Sequence, residues 1–228
     1  MTAKRKRILI IGTGGNSQII AETLLGQTFK GERYELVGFL DDDPALLNAQ
    51  ILDRPVLGPV SALKEVAHDL LLIGIEDNKT RSRHFHRLSA IGEEFVTVIH
   101  PSAIVSPSVK IGKGTIVFPR VIINTGATIE DDVVLKGGCT VGHGCHVAAH
   151  AYVSVGACLG GAAKIGEGAL IGPGSSILQN IHIGEWAIVE PKAMVIRDVA
   201  AQTTVAGVPA KVVSSATATD GHFVSGGV

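Results

Sequence analysis

Between Leu159 and Ile183 the chain reads Leu159-Gly-Gly-Ala-Ala-Lys-Ile165-Gly-Glu-Gly-Ala-Leu-Ile171-Gly-Pro-Gly-Ser-Ser-Ile177-Leu-Gln-Asn-Ile-His-Ile183, with an aliphatic residue at every sixth position. Followed in both directions, the spacing holds from Ile99 to Val195 through sixteen steps of six without a slip. Four residues after most of these aliphatics stands a small or β-branched residue, as in Thr115, Ala127, Cys139, Cys145, Ala151 and Ala169. Glycine recurs directly after the aliphatic, as in Ile111-Gly112, Ile165-Gly166 and Ile183-Gly184. A strand repeats every 2 residues and a helix every 3.6, so neither produces a hexad. A solenoid of short strands with a turn every six residues does. Three hexads make a triangular coil, so this run makes about five coils.

The 228 residues leave room for one large domain or two small ones. Aromatics are only 4% of the chain, so the core must be built from Val, Ile, Leu and Ala. The 28 glycines are nearly double the roughly 7% of ordinary usage, which fits many tight turns. A net charge of −1 gives no reason to expect nucleic acid as a partner. No run of ~18 apolar residues occurs, so no membrane insertion is expected. The basic start Lys4-Arg5-Lys6-Arg7 precedes only four apolar residues before Gly12, too few for a signal sequence. Three cysteines make no disulfide framework, and a cytoplasmic location is expected.

The segment before the hexads reads as a small α/β domain. Strands are expected at Arg7 to Ile11, Tyr34 to Leu40, Pro55 to Leu57, Asp69 to Ile75 and Phe95 to Ile99. Helices are expected at Ser17 to Leu25, Ala62 to Ala67 and Arg81 to Ile91. Strand, glycine loop, helix, strand is the opening of a doubly wound, Rossmann-like sheet. Gly12, Gly14 and Gly15 let a ligand approach the backbone, and the helix start offers N–H groups to a phosphate. Asp41 and Asp42 end the next strand, where carboxylates accept hydrogen bonds from a ribose or base. Asn78 follows a third strand end. The dinucleotide fingerprint is incomplete, because Ser17 stands where its third glycine belongs. A mononucleotide fits better. The expected division is residues 1–98 for nucleotide-sugar binding, 99–213 for the solenoid and 214–228 for a flexible tail. The α/β domain is expected to cap the N-terminal end of the solenoid.

His143, His146 and His150 interrupt the bland hexads. They leave the rod in different directions, so they do not converge on an ion, and no metal is expected. One exposed histidine on such a surface suits general-base work, because its pKa lies near neutrality. Cys145 fills a recurrent small-residue slot, and buried packing is expected there rather than a nucleophile.

Several pieces together resemble one family. They are Ile10-Ile11-Gly12-Thr13-Gly14-Gly15-Asn16, Phe39-Leu40-Asp41-Asp42-Asp43, Gly74-Ile75-Glu76-Asp77-Asn78 with Arg81, and His100-Pro101-Ser102-Ala103. Further on come Ile122-Ile123-Asn124-Thr125-Gly126-Ala127, His143-Gly144-Cys145 and Ala206-Gly207-Val208-Pro209-Ala210-Lys211. From residue 7 to 213 the chain resembles the bacterial hexapeptide-repeat sugar acyltransferases, which include bacillosamine and perosamine N-acetyltransferases and sialic acid O-acetyltransferases.

The resemblance implies a left-handed parallel β-helix after the Rossmann-like domain, and a homotrimer with sites between rods. It implies acetyl-CoA as co-substrate and a nucleotide-linked sugar as acceptor, for surface polysaccharide. His143 matches the catalytic base of the family. Gly161 matches a glycine whose backbone meets the thioester, and Gly172 and Lys211 fall along the acetyl-CoA path. Asn16 stands where relatives carry a histidine at the nucleotide-sugar site. Tyr152 stands where they often carry a histidine that meets the acyl or sugar group. The acid that usually follows the catalytic histidine is replaced by Gly144. The expected reaction is N-acetylation by direct attack. O-acetylation of a sugar hydroxyl, such as that of sialic acid, is the alternative, and a non-catalytic nucleotide-binding solenoid is the alternative from another class.

Overall fold

The computed structural model describes residues 5–25, 28–29 and 32–215. The expected tail therefore lies outside the described residues from position 216 onward.

The first unit is a twisted sheet with helices on both faces. Its elements are β1 (Lys6–Ile11), α1 (Gly15–Leu25), β2 (Thr28–Phe29), β3 (Glu32–Leu40), β4 (Gln50–Ile51), β5 (Arg54–Gly58), β6 (Leu70–Ile73) and α2 (Asn78–Ala90). The strand order is β4-β5-β3-β1-β6, with β5, β3, β1 and β6 mutually parallel and β2 antiparallel to β3. Successive residues of β1 face opposite sides, as the strand period requires. Ile8 and Ile10 pack with Ile20, Ala21 and Leu24 of α1. Leu9 and Ile11 pack with Phe85 and Leu88 of α2. The ends of α2 differ from the expectation, because Asp77 accepts a hydrogen bond from the Thr80 N–H at 2.7 Å and so starts the helix at Asn78. The helix expected over Ala62 to Ala67 is a 3₁₀ turn at Val60–Glu65.

The strand expected at Phe95 to Ile99 is divided between two sheets. Phe95 bridges Leu71 beside β6, whereas Val98–Ile99 is the first strand of the solenoid, paired with Ile116 and Val117. From there each hexad forms a two-residue strand and a turn. Up to the last coil each strand pairs in parallel with the one eighteen residues on, as in Ile116↔Val134↔Tyr152↔Leu170. Three sheets form a triangular prism. We name its faces by their outward residues: the Tyr152 face, the Thr140 face and the His146 face. The aliphatic ladder points inward, and from Val117 to Val195 no member is more than 2% exposed. Burying one such side chain contributes about 1.5–3 kcal/mol. The glycine that follows the ladder residue has a steric cause: a Cβ at Gly142 would lie 2.7 Å from the Gly161 nitrogen of the next coil. The last coil is covered by an antiparallel hairpin of Thr203–Ala206 and Lys211–Ser215. Ser214 and Ser215, expected as the start of the tail, thus belong to a paired strand.

The α/β unit does not seal the first coil. Ile99, Val105 and Ile111 there are only partly buried. The unit lies instead along the Tyr152 face, where the outward Val98, Ile116, Val134 and Tyr152 are buried. Beyond it, outward Leu170 and Ile188 are half-buried. No helix among the described residues is long and apolar enough to cross a membrane.

Candidate active site

A buried guanidinium sits where the two units meet. Arg81 of α2 is 0% exposed. Its Nη2 donates to the His150 carbonyl at 2.7 Å, and its Nε lies 3.2 Å from Asp132 Oδ2. Its Nη1 donates to Asn78 Oδ1 at 3.0 Å and to the Glu76 carbonyl at 3.2 Å. Asn78 in turn donates through Nδ2 to the Gly168 carbonyl at 3.1 Å. Asn78, expected from the sequence to be a nucleotide-sugar contact, thus reaches the rod through its Nδ2, while its Oδ1 accepts from Arg81 of its own helix.

Beside the clasp a polar cluster lies between α1 and the Tyr152 face. Asn16, in the first turn of α1, is buried and accepts a hydrogen bond from the Lys136 ammonium. Its Nδ2 has no partner among the described residues. Lys136 lies 4.3 Å above the Phe118 ring and 3.7 Å from Glu76. Burial lowers the Lys136 pKa, and Glu76 opposes the shift. Tyr152 lies against Asn16 with the Arg81 guanidinium 5.9 Å from its ring centre. Burial pushes its phenol up to about 12, reinforced by Glu76 and opposed by Asn16 and Arg81. Sequence reasoning missed Lys136 and Glu76 as site residues. One signal was available for Lys136, which stands directly after ladder residue Leu135 in a slot that is often glycine.

The glycine loop leads directly into Asn16 of this cluster. Gly12 takes a left-handed backbone at φ 90°. Gly14 and Gly15 are exposed, and a Cβ on either would meet nothing within 4 Å, so the protein's own packing does not require glycine there. Thr13 Oγ1 donates to Asp41 Oδ2 at 2.7 Å, and the Asp43 N–H donates to Oδ1 of the same carboxylate at 3.0 Å. Asp42 accepts from the Val60 N–H at 2.8 Å. Both acids are thus anchored at the strand end, with Asp42 more exposed.

His143 lies elsewhere. It is exposed in the turn between the Thr140 face and the His146 face, the one prism edge that the Tyr152 face does not touch. Its ring rests on Gly161, one coil on, and occupies the space a Cβ there would need. The Gly161 N–H donates to no acceptor among the described residues. Gly144 turns the chain at φ 63° and supplies no carboxylate. His146 pairs with Glu130 at 2.8 Å on its own face, and His150 with Asp132 at 2.8 Å inside the clasp. The three histidines do not converge. The Cys145 thiol is buried, donates to the Gly160 carbonyl at 3.1 Å, and has its pKa raised by burial. It is not a poised nucleophile. Gly172 lies at the edge between the Tyr152 and Thr140 faces, and Lys211 is exposed on the C-terminal hairpin. Within one chain, then, the Asn16–Tyr152 cluster and His143 lie on opposite sides of the rod.

Comparison with known proteins matches both units. Residues 7–88 match the PglD N-terminal domain, and residues 162–197 match the bacterial transferase hexapeptide (six repeats). The acetyltransferase domain of PglB from Neisseria gonorrhoeae is 30% identical, with a TM-score of 0.83 over 91% of this chain and 100% of that one. A variant of perosamine N-acetyltransferase from Caulobacter crescentus, solved with CoA and GDP-perosamine, is 32% identical, with a TM-score of 0.83 over 90% and 95%. The chain belongs to the hexapeptide-repeat sugar acyltransferases. Its solenoid is accordingly the left-handed parallel β-helix of that family. The UDP-N-acetylbacillosamine N-acetyltransferase of Bacillus subtilis is 33% identical over 116 residues, a match spanning 49% of this chain and 51% of that protein.

Proposed function

We propose that this acyltransferase transfers the acetyl group of acetyl-CoA to the amino group of a nucleotide-linked amino sugar, in surface glycan biosynthesis. Family membership supports the reaction class. The relatives named for bacillosamine and perosamine support an amino-sugar acceptor, and the Neisseria domain has been solved with acetyl coenzyme A. The observation that carries the reading is the exposed His143 imidazole seated on Gly161.

The chemistry is a direct acyl transfer. The sugar amine attacks the thioester carbonyl, a C–N bond forms and the C–S bond breaks. His143 takes the proton lost by the nitrogen and can return it to the departing thiolate. The free Gly161 N–H is a donor for the oxyanion that develops. No covalent acyl-enzyme is needed, in keeping with the blocked Cys145 thiol. An amine, once neutral, is a better nucleophile than a hydroxyl. An imidazole without the usual neighbouring acid, as Gly144 leaves it, therefore suits N-acylation.

The nucleotide would lie at Gly12–Gly15, Asp41 and Asp42, with the sugar directed towards Asn16 and Tyr152. Because His143 is on the far side of the rod, a complete site needs His143 from a neighbouring copy. Exposed apolar side chains flank its edge: Ile104, at 64%, with Leu178, Met194 and Ile196. These features support a homotrimer with sites between rods, in which Gly172 and Lys211 would border the acetyl-CoA groove. Acetyl transfer from acetyl-CoA to UDP-, GDP- and dTDP-linked amino sugars tests the proposal. Product with one of them, lost in His143→Ala, is expected. Equal turnover in the variant would remove His143 as the base.

A further inference from the structure

The edge that carries the clasp holds a second constellation, unrelated to acyl transfer. His86 of α2, His150 in one turn of the solenoid and Glu167 in the next coil each bring one ligand atom within 4.8 Å of the others. They come from three separate segments and both structural units. We propose that His86, His150 and Glu167 bind a divalent transition-metal ion, of which Zn²⁺ is the natural probe, and that the ion staples α2 to the rod.

Four observations carry the assignment. First, the pre-set ligand is His150, which is 2% exposed and fixed by a 2.8 Å hydrogen bond between its Nδ1 and Asp132 Oδ2. That leaves Nε2 as the nitrogen for an ion. A metal-bound histidine usually has its other nitrogen bonded to a carboxylate in this way, which fixes the tautomer and strengthens the ligand. Asp132 is itself held by Arg81. Second, the repeat fixes where the ligand stands. His150 and Asp132 sit at φ 62° and 54°, the turn position that Gly114, Gly168 and Trp186 of the same column take at φ 69°, 61° and 55°. The turn geometry therefore holds the His150 backbone at a set point beside α2. Third, the His86 and His150 ring centres are 4.8 Å apart at 63°. Two ligand atoms on a tetrahedral ion at about 2.0–2.1 Å stand roughly 3.4 Å apart. Rotamer adjustment of the exposed His86 and of Glu167 closes that gap while His150 stays in place. Fourth, the Phe85 ring meets His150 edge-on at 5.4 Å and stacks on Phe95 at 4.4 Å, an apolar wall on one side of the site.

Two imidazoles and one carboxylate suit Zn²⁺, with water as the fourth ligand. Cu²⁺ and Ni²⁺ would bind the same donors. The site lies on the α2 side of the prism, away from the His143 edge, so its role is to hold the nucleotide-sugar domain. The ion takes no part in chemistry at the thioester.

The test uses the full chain, stripped with a chelator and dialysed. Titration with ZnCl₂ is followed by calorimetry, and thermal unfolding is measured with and without the ion. One Zn²⁺ per chain and a Tm raised by several degrees are expected. His86→Ala, at an exposed position, should fold with the Tm of the metal-free wild type and lose the Zn²⁺ response. Glu167→Gln should weaken binding at least tenfold. Absence of binding heat, or binding of equal strength in His86→Ala, overturns the proposal; the second outcome would put the ion elsewhere, for example at His146 and Glu130.

Discussion

His143 and His150 stand seven residues apart in consecutive turns of one repeat, yet they live in opposite environments. His143 is exposed over a glycine, with no carboxylate beside it, and the left-handed turn backbone falls on the next residue, Gly144. His150 takes the left-handed turn position itself and is buried, with Asp132 on its ring and Arg81 on its carbonyl. The two histidines differ by one position within the turn, and what docks against each edge adds to that difference. The α/β unit covers the Tyr152 face and its neighbouring edge, converting His150 into part of a clasp. It leaves the opposite edge open, and there the His143 imidazole stays exposed.

This contrast can be probed at either histidine. The largest effect is expected from His143→Ala, which should lower kcat by about 10²–10⁴-fold. Its Tm should match the wild type, because the lost ring is exposed. Asp132→Ala attacks the other edge. It strands the Arg81 charge in a buried site and should destabilise the fold by about 3–5 kcal/mol in denaturant unfolding. Gly161→Ala should push the His143 ring aside and reduce kcat up to about 100-fold, since displacement of a catalytic group by an ångström has that effect. Native stability within about 0.5 kcal/mol would separate this from a folding defect.

The smallest effect is the pH dependence of the Asn16–Tyr152 cluster. The Tyr152 phenol, ordinarily near 10, is pushed up to about 12 in the folded protein. Above pH 10 the unfolded chain loses that proton while the folded chain keeps it, so stability should fall between pH 10 and 12. The Tyr152 share is on the order of 2 kcal/mol. Cys139, also raised to about 12 by burial, contributes in the same direction. Unfolding curves at about pH 9 and about pH 11 should therefore differ less in Tyr152→Phe than in the wild type.

The solenoid was legible because its signal is local and repeated. An inward slot admits only an aliphatic residue, and the next slot often only a glycine, so packing rewrites the same constraint every six residues. The glycine loop and its anchored Asp41 were legible for a similar reason, since turns carry their own chemistry. The start of α2 was open to the same kind of reading. Asp77 caps the Thr80 N–H, and the helix begins at Asn78, three residues before the expected Arg81.

What was not legible depends on docking. Arg81 stood in a quoted motif, but its partners Asp132 and His150 lie 51 and 69 residues away, across an interface no local pattern describes. The same holds for Lys136, which reaches Asn16 across 120 residues of sequence. The division of Phe95 to Ile99 between two sheets has the same origin, because one apolar run serves both units.

The proposed function rests on His143 of one copy completing the nucleotide-sugar site of another. Mixed oligomers test this most directly. His143→Ala and Asp41→Ala chains, each inactive alone, are unfolded together, refolded and assayed for acetyl transfer. Turnover should return, because some sites then pair an intact His143 with an intact Asp41 on a different chain. Mixed oligomers with no more activity than either variant alone would contradict a site shared between copies.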